Sequence, residues 1–325
     1  MTDVITAQHL RKSYGAVEAV ADVSFSMAEG EVVCLLGPNG AGKSTTVRIL
    51  TTLTRADGGS ALVAGYDVRT QPRLVRSAIG YVAQSAGTDA YLTGRENLLV
   101  QAVAQRLSRS DAGRRASELL DLVGLDGAAD RIVRTYSGGM RRRLEIAMGM
   151  VHSPRVLFLD EPTTGLDPEA RATMWDELTG LAVERKLSLL LTTHYLEEAD
   201  RLADRVVIVS HGKVVVEGRP EALKAGLAGD SVFIELAGGP PPDAVMTAAA
   251  RFGARTVTID GGVLRAQVDH GNRALPVILS GLEAAGFQVE SASVARPTLD
   301  DVYLHHTGRS FVLDDDVVRP KVVAG

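Results

Sequence analysis

Tyr136-Ser137-Gly138-Gly139-Met140-Arg141-Arg142-Arg143-Leu144-Glu145 decides how the rest of the chain is built. Leu144, Ala147, Met148 and Val151 recur at i, i+3, i+4 and i+7. That spacing predicts a helix with one apolar face and with Arg141–Arg143 and Glu145 mostly on the other. The Ser-Gly-Gly loop brings backbone N–H groups and a hydroxyl to the helix start, where the dipole favours an anion. A second helix start of this kind lies upstream, at Lys43-Ser44. One chain therefore carries two anion-binding helix starts.

Upstream, Gly37-Pro38-Asn39-Gly40-Ala41-Gly42-Lys43-Ser44-Thr45 fits G-x-x-x-x-G-K-[ST]. Its glycines let N–H groups close around phosphate oxygens. Lys43 is placed for the β- and γ-phosphates and the Ser44 hydroxyl for Mg²⁺. The loop follows the apolar run Val32–Leu36 and opens a helix expected over Ser44–Leu53, which is the context the mechanism needs. Downstream, Val156-Leu157-Phe158-Leu159 runs into Asp160-Glu161. Asp160 at a strand end suits Mg²⁺, and Glu161 suits a general base on water.

Four further positions gain weight from this company. Gln84 ends a strand expected over Gly80–Gln84 and suits a metal or water contact; a plain loop glutamine is the alternative. His194 follows Leu189-Leu190-Leu191-Thr192-Thr193 and is placed to hold the γ-phosphate and water, or is merely structural. Asp167 suits a subunit contact or an Asp-Pro turn. Tyr14 suits stacking on adenine or a turn. The other histidines show no metal-ligand spacing.

The chain has 325 residues, 45% hydrophobic and 23% charged, with net charge −5. This suits a soluble protein of two domains, or one large domain with an appendage. No block of five like charges occurs, so nucleic acid is not an expected partner. Arg141–Arg143, the densest basic run, reads as a solvated helix face. The single cysteine, Cys34, lies in an apolar run and reads as buried, in a reducing compartment. No signal-peptide pattern opens the chain, and no apolar run reaches the eighteen or so residues of a membrane span. Work at a membrane would need a membrane partner.

Apolar runs at Val32–Leu36, Val156–Leu159, Leu187–Thr192 and Val206–Val209 alternate with helical stretches, which predicts an α/β fold on a mainly parallel sheet. Residues 94–125 read as mostly helical. From residue 229 the pattern changes to strand Ser231–Leu236, helix Asp243–Phe252, strands Arg255–Ile259 and Val263–Val268 around an Asp260-Gly261-Gly262 turn, helix Ala274–Ala285, strand Phe287–Val294 and helix Thr298–His306. That order, βαββαβ plus a helix, predicts a small ferredoxin-like α+β domain over 229–308. Residues 309–325 read as a flexible tail.

Taken in order, Tyr14, Gly37–Thr45, Gln84, Ser137-Gly138-Gly139, Asp160-Glu161, Asp167 and His194 resemble the ATP-binding subunits of ABC transporters over roughly residues 4–225. The Tyr136–Leu144 stretch and Pro297-Thr298-Leu299-Asp300-Asp301-Val302-Tyr303-Leu304-His305-His306-Thr307-Gly308 narrow the resemblance to the daunorubicin-resistance type of exporter ATPase. The wider superfamily has Gln where this chain has Met140, a departure shared by the narrower group.

The resemblance implies a P-loop ABC cassette over 1–228, with antiparallel β and helical subdomains, the latter about 85–150. It implies ATP hydrolysis with Mg²⁺ on Ser44, Gln84 and Asp160, and catalysis by Glu161, His194 and Gln84. It implies a head-to-tail dimer in which Ser137, Gly138, Gly139 and Met140 act on the partner's ATP, with Asp167 at the contact. It further implies a separate ABC-2 type permease, a peripheral place on the cytoplasmic side of the membrane, and efflux of a hydrophobic drug, antibiotic or lipid. The rival classes are another transport system, including import, and a soluble ABC ATPase. For the small domain three roles stay open: a second dimer contact, a regulatory site and a stabilising cap.

Overall fold

The computed structural model describes residues 3–85, 87–227, 229–237, 256–260, 263–309 and 311. The chain divides into two compact units, Met1–Pro220 together with Phe311–Gly325, and Glu221–Ser310. In the first, β1 (Asp3–Tyr14) and β2 (Val17–Ala28) form a long antiparallel pair ahead of β3 (Val32–Leu36) and α1 (Lys43–Leu50). There follow β4 (Gly58–Val63), β5 (Tyr66–Asp67), α2 (Pro72–Ala78), β6 (Ile79–Val82), α3 (Gly94–Ala104), α4 (Arg109–Leu122) and α5 (Gly138–Gly149). β7 (Val156–Asp160), α6 (Pro168–Arg185), β8 (Ser188–Thr193), α7 (Leu196–Leu202), β9 (Arg205–Ser210) and β10 (Lys213–Gly218) complete it.

All ten strands join one sheet in the order β5-β4-β1-β2-β10-β9-β3-β8-β7-β6. The run from β9 to β6 is parallel. Every residue of β3, β7 and β8 is buried, which is why these strands read as continuous apolar runs rather than as alternations. Phe158, wholly buried on β7, packs with Leu35, Val47 and Leu190 in one core cluster. Truncating such a side chain to alanine costs roughly 3–5 kcal/mol.

Three local expectations are corrected. The helix after the phosphate loop stops at Leu50, not Leu53. The Thr51 hydroxyl bonds back to Val47 O at 2.8 Å, and Thr52 turns the chain out at φ 63°. The strand before Gln84 ends at Val82, which leaves Gln84 in the loop beyond it. Arg142 and Glu145 of α5 are buried, at 7% and 8% exposure, and not on a solvated face. A basic run at helical spacing looks the same in sequence whether water or carbonyl groups receive it.

The second unit is a four-stranded antiparallel sheet in the order β12 (Thr256–Asp260), β13 (Val263–Val268), β11 (Asp230–Leu236), β14 (Val289–Ala295). β11 lies between β13 and β14, the split arrangement that a βαββαβ order gives. The helix expected at Asp243–Phe252 and the Gly261-Gly262 turn lie outside the described residues. The helix Gly271–Ala284 sets Ile278 and Leu282 against Val232, Ile234, Leu264 and Ala266. Of the expected tail, Phe311 is buried, and residues from 312 onward lie outside the described ones.

The final helix, Leu299–Thr307, is fixed by one carboxylate. Asp301, 1% exposed, accepts from Thr298 N and Oγ1 (both 2.7 Å), Ser231 Oγ (2.9 Å) and Arg265 Nε (3.0 Å). Burial pushes its pKa up, but the Thr298 donors and the Arg265 charge hold it below the ordinary 3.8. Its stabilisation is complete above that value and is lost as pH falls through the lowered one. Asp301→Asn is expected to cost about 2 kcal/mol at pH 7, since Arg265 then keeps only the Asp300 carboxylate, 2.6 Å from Nη1. In denaturant titrations the deficit should narrow below pH 3.8; a pH-independent deficit would argue against the assignment.

Cys34 is wholly buried on β3, and burial, then the Glu198 charge, pushes its thiol well above its ordinary value. It should resist iodoacetamide at pH 8 and react fully in guanidinium, read by mass spectrometry. Rapid alkylation of the native chain would contradict this placement.

Candidate active site

Strands β3, β8, β7 and β6 are neighbours and run parallel, so their C-terminal ends meet at one edge. Beyond those ends lie, respectively, the Gly37–Thr45 loop, His194, Glu161 and Gln84, with Asp160 the last residue of β7. Ligands of open α/β sheets bind at this edge. Here Lys43, Ser44, Gln84, Glu161 and His194 share a cavity of about 550 Å³.

The phosphate loop is built by its glycines. Gly42 caps α1 at φ 102°, and a Cβ there would stand 2.4 Å from Ala19 O, so only glycine fits. Lys43, 4% exposed, donates to Gly37 O at 2.7 Å and Pro38 O at 3.1 Å. Its Nζ lies 3.8 Å from Glu161 Oε1. Burial pushes the ammonium pKa down, and the Glu161 charge opposes it.

Ser44 Oγ donates to Asp160 Oδ1 at 2.8 Å, and Thr192 Oγ1 donates to the same oxygen at 2.7 Å. A hydroxyl and a carboxylate meeting beside a phosphate loop are the donor set of a hard divalent cation completed by substrate oxygens and water. Gln84 turns its amide nitrogen to Glu161, which leaves the carbonyl oxygen as the atom a cation would take. These residues fit Mg²⁺.

Glu161 is held in a cage. Its backbone is left-handed, φ 47°, and its N–H is bonded to Thr192 O and Oγ1 at 3.2 and 3.0 Å. Oε2 accepts from Gln84 Nε2 at 2.9 Å and from Thr164 Oγ1 at 3.2 Å, with His194 Nδ1 at 3.4 Å. The contact with His194, followed by the Lys43 charge, holds the carboxyl below the usual carboxylate range despite burial. Glu161 is thus ionised, as a general base requires.

Ser137 is the N-cap of α5, its Oγ accepting from Met140 N at 3.2 Å. Ser137, Gly139 and Asp167 border a second cavity, of about 240 Å³, that shares no lining residue with the first. The sequence-expected site residues therefore fall into two groups, and the Ser137 loop does not line its own chain's Lys43 cavity. Asp167 caps α6, accepting from Ala170 N at 2.8 Å. Tyr14 is not brought to the Lys43 cavity. It is 46% exposed, its Oη is 3.4 Å from Thr54 Oγ1, and Val17, in the next strand, lines the cavity in its place.

Thr192 and Thr164 were not expected as site residues. A threonine at the end of an apolar strand, as in Leu191-Thr192-Thr193-His194, is the available signal. Glu198, on α7, was also missed. Its Oε1 accepts from Thr163 Oγ1 at 2.9 Å and Trp175 Nε1 at 3.1 Å, and burial pushes its carboxyl up. It ties the segment after Glu161 to the helix after His194.

Comparison with known proteins identifies the family of the chain. Residues 20–164 match the ABC transporter family, and residues 218–307 match the "ATP-binding protein DrrA1-3-like, C-terminal domain" family. The chain is 43% identical to the daunorubicin resistance ATP-binding protein DrrA2 of Streptomyces coeruleorubidus, covering 94% of this chain and 95% of that one. It is 42% identical to the doxorubicin resistance ATP-binding protein DrrA of Mycobacterium tuberculosis, covering 93% of each. It is 40% identical to the Nod factor export ATP-binding protein I of Sinorhizobium fredii, covering 94% of this chain and 86% of that one. Among solved structures, an ATP-binding subunit of an ABC transporter superposes with TM-score 0.60 at 30% identity, covering 69% of this chain and 92% of that one. The cbiO1 protein of Clostridium perfringens superposes with TM-score 0.65 at 25% identity, covering 69% of this chain and 92% of that one. With both its cassette and its C-terminal unit matched, the chain belongs to the ABC transporter family, as an ATP-hydrolysing subunit of the daunorubicin-resistance exporter type.

Proposed function

We propose that two copies of this chain close head to tail, ATP on the Gly37–Thr45 loop of one lying beneath the Ser137–Gly139 loop of the other. The observation that carries this reading is the separation of the two cavities: each chain holds a phosphate loop with its base, and apart from it a helix start that lines a different cavity. Met140 lies in that second group as a neighbour, offering no amide to the ligand.

Hydrolysis needs in-line water and charge stabilisation more than covalent chemistry. Glu161 Oε takes the proton as water attacks the γ-phosphorus and the bond to ADP breaks. His194 and Gln84 hold Glu161 and the water in line. Lys43 leaves the Gly37 and Pro38 carbonyls for the phosphates. Mg²⁺, held by Ser44 and Asp160 with Gln84 alongside, would neutralise the β- and γ-phosphate charge. Asp167 orders the loop that faces the partner.

No helix among the described residues is long and apolar enough to cross a membrane. Export therefore requires a membrane partner, for which we favour an ABC-2 type permease docked from the cytoplasmic side. Leu53, Tyr81, Gln101 and Gln105 line a groove beside α3, whose Val100 and Val103 are 59% and 62% exposed. That apolar margin suits a helix of the permease. The relatives named for daunorubicin, doxorubicin and Nod factor handling favour a hydrophobic drug, antibiotic or lipid-like cargo over import. Residues 229–308 are proposed as a second contact between copies. Co-purification from source membranes in mild detergent tests the export reading; a chain recovered without any polytopic protein argues against it.

Glu161→Gln keeps the size and hydrogen bonds of the side chain but cannot take a proton. It should bind ATP normally, lose at least about a hundredfold in turnover and accumulate as an ATP-bound dimer on size exclusion. Wild-type turnover would falsify the assigned role.

Ser137→Arg places bulk and charge where the partner's nucleotide must dock. It should abolish ATP-dependent dimerisation in sedimentation while single-chain ATP affinity stays within about twofold, since Ser137 does not line the Lys43 cavity. Undiminished dimerisation would rule out the head-to-tail arrangement.

A further inference from the structure

Arg142 lies on α5 just over one turn beyond Ser137, and its guanidinium is buried against the other end of the mechanism. Nε donates to Pro162 O at 2.8 Å and Nη2 to Asp160 O at 3.2 Å. Those are the carbonyls on either side of Glu161, the residue held at φ 47°. Nη1 donates to Ala83 O at 2.7 Å, the carbonyl just before Gln84, and to Glu145 Oε2 at 2.9 Å. Glu145 Oε1 in turn accepts from Gly87 N at 3.0 Å, on the far side of Gln84. One planar fork thus gathers the backbone around both Gln84 and Glu161 and fixes it to the helix that carries Ser137.

The chemistry requires arginine. Three carbonyls and a carboxylate are satisfied by a rigid, always charged group with five N–H donors. Lysine has a point charge and no fork. A left-handed glutamate turn is sparsely populated unless its surroundings hold it. Here the donors on its flanking carbonyls come from α5.

We propose that Arg142 is the positioning residue that makes the two ATP sites of a dimer one cooperative unit. It joins Gln84 and Glu161, which serve the ATP of their own chain, to the α5 start that closes over the ATP of the partner. A displacement of α5 as it seats on the partner's γ-phosphate passes through the Arg142 fork to the carbonyls on either side of Glu161. The inference rests on the head-to-tail reading. Sedimentation of Ser137→Arg decides that reading separately, because it reads association without turnover.

The test is basal hydrolysis by the full-length chain as a function of ATP concentration. The wild type should show a Hill coefficient approaching about 2, the number of coupled sites. Arg142→Lys should lose at least about tenfold in kcat and fall to a Hill coefficient of about 1. Its ATP affinity without turnover, read with a fluorescent nucleotide, should stay within about twofold, because no Arg142 contact reaches the phosphate loop. Arg142→Gln, whose amide still reaches one carbonyl, should fall between. If circular dichroism shows Arg142→Lys misfolded, Arg142→Gln carries the same test. A wild-type Hill coefficient of 1 overturns the proposal by denying coupling. A variant that loses rate at an unchanged Hill coefficient overturns it by leaving Arg142 a local support.

Discussion

The buried charges around the phosphate loop gather where buried parallel strands end. β3, β7 and β8 are buried along their whole length, and the one charge they hold is Asp160, the last residue of β7. The first positions at which charge is tolerated are the turns at their C-terminal ends. Because the strands are parallel neighbours, those turns coincide, and Lys43, Asp160 and Glu161 are driven into one another's company. Each is under 10% exposed, and each is satisfied by a hydroxyl, a carbonyl or an opposite charge. The charged cluster and the sheet core are therefore one arrangement.

Much of this was legible in the chain. Continuous apolar runs announced the parallel strands, and the Gly-rich loop between a strand and a helix announced the phosphate site. The β-strand order of the C-terminal unit followed from alternation and turn residues. What sequence did not reveal has a common physical cause. Arg142 and Glu145 sit on the polar side of an amphipathic helix, and periodicity cannot say whether that side meets water or the carbonyl groups of a neighbouring loop. Thr192 and Glu198 are the same case, ordinary polar residues made important by what the topology places opposite them. Tyr14, at the end of β1, lies outside the lining of the Lys43 cavity, whereas Val17 at the start of β2 lies within it.

The second unit follows the same economy of donors on a smaller scale. Asp301 caps its own helix with one oxygen and anchors that helix to the sheet with the other, through Ser231 and Arg265. A short helix of nine residues has little apolar surface with which to dock. A buried carboxylate with every lone pair engaged supplies the missing specificity of position. The Pro297–Gly308 stretch is therefore read as a structural clamp.

Lys43 spends its ammonium on the carbonyls of its own loop, Gly37 and Pro38. The loop is thus already shaped before any phosphate arrives, and an incoming nucleotide exchanges those bonds for its own instead of adding to them. Only the difference between the two sets appears as affinity. A site built this way trades tightness for speed: as product leaves, the lysine has somewhere to return to, and departure need not strand a buried cation.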